Sequence, residues 1–174
     1  QTDLKRLIAY SSVSHMGLVL VGVASVGLRA SPLSSVGLAG ASMQMFTHGT
    51  ITGLLFLLVG LVYDKAHTRH IPDMSGLAAR MPVIAVVFVV AGLASLGLPS
   101  TSGFVSELLV FLGTFQVWSW ITALAVFAIV ITAGYILWML QRAFFGPPLP
   151  RFANIGDTTL VEAVPMAALV VAIM

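Results

Sequence analysis

Cysteine is absent from all 174 residues, and charge is scarce, with Asp, Glu, Lys and Arg together making up 8%. The first absence excludes disulfides and thiolate-held zinc or iron–sulfur centres. The second, beside 59% hydrophobic residues and a mean hydropathy of +1.05, excludes a soluble domain, where about a quarter of residues are charged. Gly-x-Gly-x-x-Gly and the Gly-Lys-Ser/Thr phosphate loop are missing too, so nothing marks a nucleotide site. The net charge of +2 comes from scattered loop residues. Without a basic stripe, the pI of about 9.4 is no sign of nucleic-acid binding. His67 and His70 form a His-x-x-His pair with no third ligand nearby, and with Lys65 and Arg69 they read as a solvated loop. No cofactor or metal is expected in this chain.

What is present is apolar sequence in five passages, the first four long enough to span a membrane. They run from Leu4 to Leu28, from about Val36 to Tyr63, from Val83 to about Val117, from Trp118 to about Phe145, and from Leu160 to Met174. Loops are marked by Arg29 to Pro32, Asp64 to Arg80, and Gly146 to Pro150. The expected fold is all-α, a polytopic transmembrane helix bundle forming a single membrane domain over 1–174. The chain opens on Gln1-Thr2-Asp3 and stops within an apolar run, Ala163 to Met174, too short for a span of about 20 residues. Further sequence is therefore expected on both sides.

The third passage is interrupted near 98–103, where Leu98-Pro99-Ser100-Thr101-Ser102-Gly103 combines a residue lacking a donor with backbone-permissive glycine. It is either two short spans or one broken span. With one crossing, Lys5, Arg6, Lys65, Arg69, Arg80, Arg142 and Arg151 share a side, leaving Arg29 alone among the 8 basic residues. With two crossings, Arg142 and Arg151 join Arg29 and the bias weakens. The positive-inside tendency selects one broken crossing with the basic side cytoplasmic, and puts Trp118 and Trp120 at the far interface. Freed backbone groups survive at that depth only against protein or water, and broken helices recur at the ion sites of transporters.

Glu107 follows this break and is expected on the first turn of the second half, within reach of the helix dipole. A charge at mid-bilayer costs about 3 kcal/mol on insertion scales, so such residues usually serve ion or proton movement. Counting ~1.5 Å per residue puts His15 roughly 16 Å from the cytoplasmic edge, His48 roughly 22 Å from it, and Glu107 roughly 15 Å from the opposite edge. All three fall in the middle third of a core ~30 Å thick. Histidine changes charge near neutral pH, so this row is suited to passing protons through bound water. Packed histidines bonded to carbonyls are the alternative. Tyr10, Ser11, Ser12, Ser14, Gln44, Thr47 and Thr50 add polarity to the same helices, which ordinary interhelical hydrogen bonding also explains. Lys5, beside Asp3 and Arg6, reads from physics as an anchor snorkelling to the interface. Gly49 and Gly53 match a Gly-x-x-x-Gly helix-contact pattern.

The string from Thr2-Asp3-Leu4-Lys5-Arg6 through Ser14-His15-Met16-Gly17 resembles a signature of the antiporter-like membrane subunits of respiratory complex I. Thr47-His48-Gly49, Gly76-Leu77 leading to Met81-Pro82, and Gly97-Leu98-Pro99 through Gly103-Phe104-Val105-Ser106-Glu107 resemble it too. The likeness covers nearly the whole chain. It implies the second of two inverted five-helix repeats, with one discontinuous helix at its centre. It further implies that Glu107 is a terminal proton site, that His15 and His48 belong to a polar axis, and that Lys5 is a conducting lysine. Sister subunits carry lysine where Glu107 stands. NADH, flavin, iron–sulfur clusters and quinone are then expected on other subunits, with complex I membrane subunits and the lipid bilayer as partners. The implied setting is a multi-pass protein of a bacterial plasma membrane. Mrp-type cation/proton antiporters and membrane-bound hydrogenases share these motifs, and a non-conducting scaffold is the rival of another class.

Overall fold

The computed structural model describes residues 1–28 and 32–174. Its α-helices are α1 (Leu4–Leu28), α2 (Pro32–Ala66), α3 (Pro82–Ser95), α4 (Ser102–Phe115), α5 (Ser119–Phe144) and α6 (Leu160–Ile173). Short 3-10 turns occupy the loops, and the only β pairing among the described residues is a single bridge between Asp3 and His70. Among the described residues three helices are long and apolar enough to cross a membrane: Leu4–Val26, Ser35–Ala66 and Ser119–Phe144. The 14 residues each of α3 and α4 reach only ~21 Å apiece, short of a ~30 Å core.

The loops show how those two halves are used. Ser75 Oγ donates to the Pro147 carbonyl at 2.9 Å, and a Cβ on Gly76 would lie 2.5 Å from Pro148 Cα. The loop before α3 and the loop after α5 therefore meet on one face. With α5 running from the far end of α4 back to this face, α3 and α4 make one passage between them, a single helix broken in the middle. The start of α1 joins the same face through Leu4 N–H donating to the Arg69 carbonyl at 2.9 Å. So does α6, through the Lys65–Glu162 ion pair at 3.2 Å. Lys5, Arg6, Lys65, Arg69, Arg80, Arg142 and Arg151 all belong to this face or the helix ends that reach it. Arg29, expected alone on the other side, lies with Ala30 and Ser31 outside the described residues.

The long α2 is the spine, packed along α1 and α4 and touching α3 and α6. Toward the loop face the core is apolar and closed, with Leu4, Ile8, Leu54, Leu58, Ile84 and Phe88 fully buried and the Phe88 and Phe144 rings 4.8 Å apart. Close helix approach does not fall at Gly49 and Gly53, where an added Cβ would meet nothing within 4 Å. It falls at Gly40, where a Cβ would sit 2.6 Å from the Val110 nitrogen of α4. The sequence pattern carried no information about which face of α2 its neighbours occupy.

Candidate functional site

The break is built by local backbone chemistry. Gly97 takes φ +67°, its N–H donates to the Ala94 carbonyl at 3.1 Å, and Leu98 N–H donates to the Leu93 carbonyl at 3.2 Å. This paired closure around a left-handed glycine is the Schellman ending of an α-helix. Pro99 two residues on cannot resume the helix. Thus α3 stops at Ser95, earlier than the Pro99-centred break expected from sequence, because the glycine and not the proline ends it. The Ser95 carbonyl lacks a partner within its helix, and His15 Nε2 of α1 reaches it at 3.0 Å.

α4 restarts at Ser102, which puts Glu107 on its second turn and not its first. The helix dipole fades within one turn, so it contributes less to this carboxylate than the sequence position suggested. Specific neighbours take its place. Glu107 Oε1 lies 3.7 Å from His15 Nε2, and the His15 and His48 rings stack with centroids 5.1 Å apart and planes 24° apart. Gln44 lies beside the carboxylate. Its amide oxygen accepts from Ser106 Oγ, which also lies 3.2 Å from Thr47 Oγ1. His15, His48, Gln44, Thr47, Ser106 and Glu107 are all buried.

The structure therefore brings three of the four sequence candidates together, from α1, α2 and α4. Lys5 is not among them. It is exposed on the first turn of α1 at the loop face, 10 residues and ~15 Å of helix from His15. Of the histidines outside the cluster, His70 pairs through Nδ1 with Asp73 Oδ2 at 3.1 Å in the loop.

His15 is held at both nitrogens, since Nδ1 lies 2.9 Å from the Ser11 carbonyl and Nε2 lies 3.0 Å from that of Ser95. A neutral imidazole has one N–H and can donate to only one of these; the protonated ring donates to both. A neutral ring therefore leaves one nitrogen lone pair facing a carbonyl oxygen with no proton between them. The 3.7 Å gap to Glu107 exceeds a hydrogen bond, so proton exchange between them needs a bridging water or a small side-chain shift. Space for water is at hand. A cavity of about 300 Å³ between α1, α4 and α5 is lined by His15, Glu107, Ser14 and Thr132 among others. It shares Ser14, Ala128 and Thr132 with a cleft of about 380 Å³ that runs past Tyr10, Ser11 and Tyr135 to Gln1.

Sequence reasoning missed Thr132, Tyr135 and the Ser95 carbonyl, and treated Ser106 only as part of a motif. Thr132 and Tyr135 carried a usable signal, three residues apart on one face of the mostly apolar middle of α5. A backbone carbonyl carries none.

Residues 1–132 match the family described as NADH:quinone oxidoreductase/Mrp antiporter, transmembrane. The chain is similar to NADH-quinone oxidoreductase subunit M of Rhodobacter capsulatus, 43% identical over 171 residues, 98% of this chain and 32% of that protein. F(420)H(2) dehydrogenase subunit M of Methanosarcina mazei is 40% identical over 174 residues, 100% of this chain and 34% of its own length. A chain of respiratory complex I from Thermus thermophilus superposes with a TM-score of 0.86 at 32% identity, covering 99% of this chain and 35% of that one. The chain spans about a third of the length of the curated relatives it matches. With the family match running from the first residue through α4 and its broken helix into α5, the chain belongs to the NADH:quinone oxidoreductase/Mrp antiporter transmembrane family.

Proposed function

We propose that this chain forms the second-repeat part of a proton-translocating membrane subunit of an NADH:quinone oxidoreductase, most like subunit M. One observation carries the reading: a buried carboxylate, Glu107, stands 3.7 Å from a histidine that stacks on a second histidine, beside a break in a membrane helix. Two unit charges about 4 Å apart interact by on the order of 4 kcal/mol at an effective dielectric of 20. Protonating or deprotonating His15 therefore changes how readily Glu107 holds charge, and the pair acts as one switch. His48 extends the switch by one ring. The cavity and the cleft between α1 and α5 lead from Glu107 toward the basic face, which we assign to the cytoplasm from its charge.

In this reading the redox chemistry belongs to other subunits, which bind NADH, flavin, iron–sulfur clusters and quinone. The chain makes and breaks no covalent bond beyond those to protons. Other membrane subunits of the complex are its partners, and a bacterial plasma membrane its setting. Lys5 contributes no step at the cluster. The same residues serve a cation/proton antiporter equally well, which the family description favours as the second reading. Flavin and iron–sulfur proteins co-purifying with the full-length protein select the oxidoreductase; their absence selects the antiporter. Replacing His15 and His48 together by Ala tests the switch. Pumping falls while assembly persists if they relay protons, whereas failed assembly with normal pumping by the remainder makes them packing residues.

A further inference from the structure

On the loop face, where α1 begins and α2 ends, the bundle leaves a cavity of about 370 Å³ lined by Lys5, Phe56, Val59, Gly60, Tyr63 and Arg69. Its two cations come from separate segments, the first turn of α1 and the loop after α2, held together by the Leu4 N–H to Arg69 carbonyl bond. The Arg69 guanidinium lies over the Tyr63 ring, 4.8 Å from its centroid. Neither cation has an ion-pair partner among the described residues. Asp3, the acid nearest Lys5 in sequence, is occupied as the acceptor of Arg6 N–H at 2.9 Å. Two positive charges thus face one opening.

Below them the wall is apolar and notched. Phe56, Gly60 and Tyr63 follow i, i+4, i+7 spacing and share one face of α2. Gly60 leaves a gap between the two rings, and a Cβ placed there meets no heavy atom within 4 Å. Phe56 lies seven residues, ~10 Å, deeper than Tyr63 along the helix. With the loop face set at the membrane surface, the opening falls at headgroup depth and the notch descends toward hydrocarbon. Basic pockets between transmembrane helices on the cytoplasmic side suit anionic lipid headgroups. We infer that this cavity binds an anionic phospholipid, with its phosphate between Lys5 and Arg69 and an acyl chain in the Gly60 notch. A free phosphate uses the cations but leaves the notch empty. A zwitterionic lipid brings its own ammonium to its phosphate and gains less from the two cations. The site stands apart from the proton switch and gives Lys5 a role that its distance from His15 allows.

The test uses the full-length protein in its purified complex, placed in phosphatidylcholine nanodiscs with a trace of phosphatidylglycerol carrying a photoreactive acyl chain. Cross-linked peptides are mapped at equal amounts of assembled complex. The expected result is labelling of the Phe56 to Tyr63 segment, competed by unlabelled phosphatidylglycerol and not by millimolar inorganic phosphate. Labelling should fall roughly thirtyfold when Lys5→Gln and Arg69→Gln remove both cations. It should fall similarly in Gly60→Leu, which fills the notch, keeps both cations and disturbs no packed neighbour. Equal labelling by a phosphatidylcholine probe, or labelling unchanged in these variants, overturns the inference. So does competition by inorganic phosphate, or a wild-type segment that takes no label because other protein covers it. Loss of proton transfer in Lys5→Gln with labelling intact makes Lys5 a conducting group and overturns it as well.

Discussion

Gly97 and Glu107 occupy one another's space, and that contact ties the broken helix to its chemistry. A Cβ at position 97 would lie 2.5 Å from Glu107 Oε2, and the backbone there is left-handed at φ +67°. Gly97→Ala therefore carries the conformational penalty of about 1–2 kcal/mol and also displaces the carboxylate. We expect a lowered thermal midpoint of the purified protein and impaired proton transfer, read by calorimetry and by proton uptake on the same preparation. A variant as stable and active as wild type would mean that the carboxylate does not need its observed position. At this scale much was legible beforehand. Counting helical rise put His15, His48 and Glu107 at one depth, and the fold brings them into contact. Rise gives depth but not direction around a helix, so the stacking of the two rings and the place of Gln44 beside Glu107 were beyond it. Lys5 shows the opposite case. Its position at the helix start was readable, and the structure leaves it exposed there, away from the cluster.

Among the elements, the broken helix was visible as Gly97, Pro99 and Gly103 in an apolar run, and positive-charge bias decided that it crosses once. The residue that ends α3 was less clear, since proline is the louder signal and the Schellman glycine the operative one. How α3 begins was hidden altogether. Asp157 accepts Val83 N–H at 2.7 Å and Ile84 N–H at 3.3 Å, capping the helix from a loop more than 70 residues away. Nothing local marks that acid as a cap. Asp157→Ala leaves both donors unpaired and should cost about 1 kcal/mol, as loss of an N-terminal cap does. Hydrogen exchange reads this directly: the Val83 and Ile84 amides should exchange faster than in wild type, with the α4 amides unchanged. Unaltered protection at both amides would show that Asp157 is dispensable to α3.

Over the whole molecule, charge and loop contacts agree on one arrangement. The basic residues among the described positions gather where Ser75 meets Pro147 and Lys65 meets Glu162. Thr68→Cys and Pro148→Cys should accordingly share accessibility, both protected from an impermeant thiol reagent in right-side-out vesicles and both labelled in inverted ones. Opposite accessibility would make α3 and α4 separate crossings. The central claim is that Glu107 carries a proton across the middle of the membrane, and one measurement bears on it most directly. Full-length protein in its assembled complex is reconstituted in proteoliposomes, and proton uptake driven by substrate oxidation is compared at equal electron transfer. Glu107→Gln keeps the size and much of the hydrogen bonding of the side chain but cannot gain or lose a proton. The account expects assembled complexes that lose most of the coupled uptake, with Glu107→Asp retaining part of it. Wild-type uptake in the glutamine variant would contradict the account and leave Glu107 a structural polar residue.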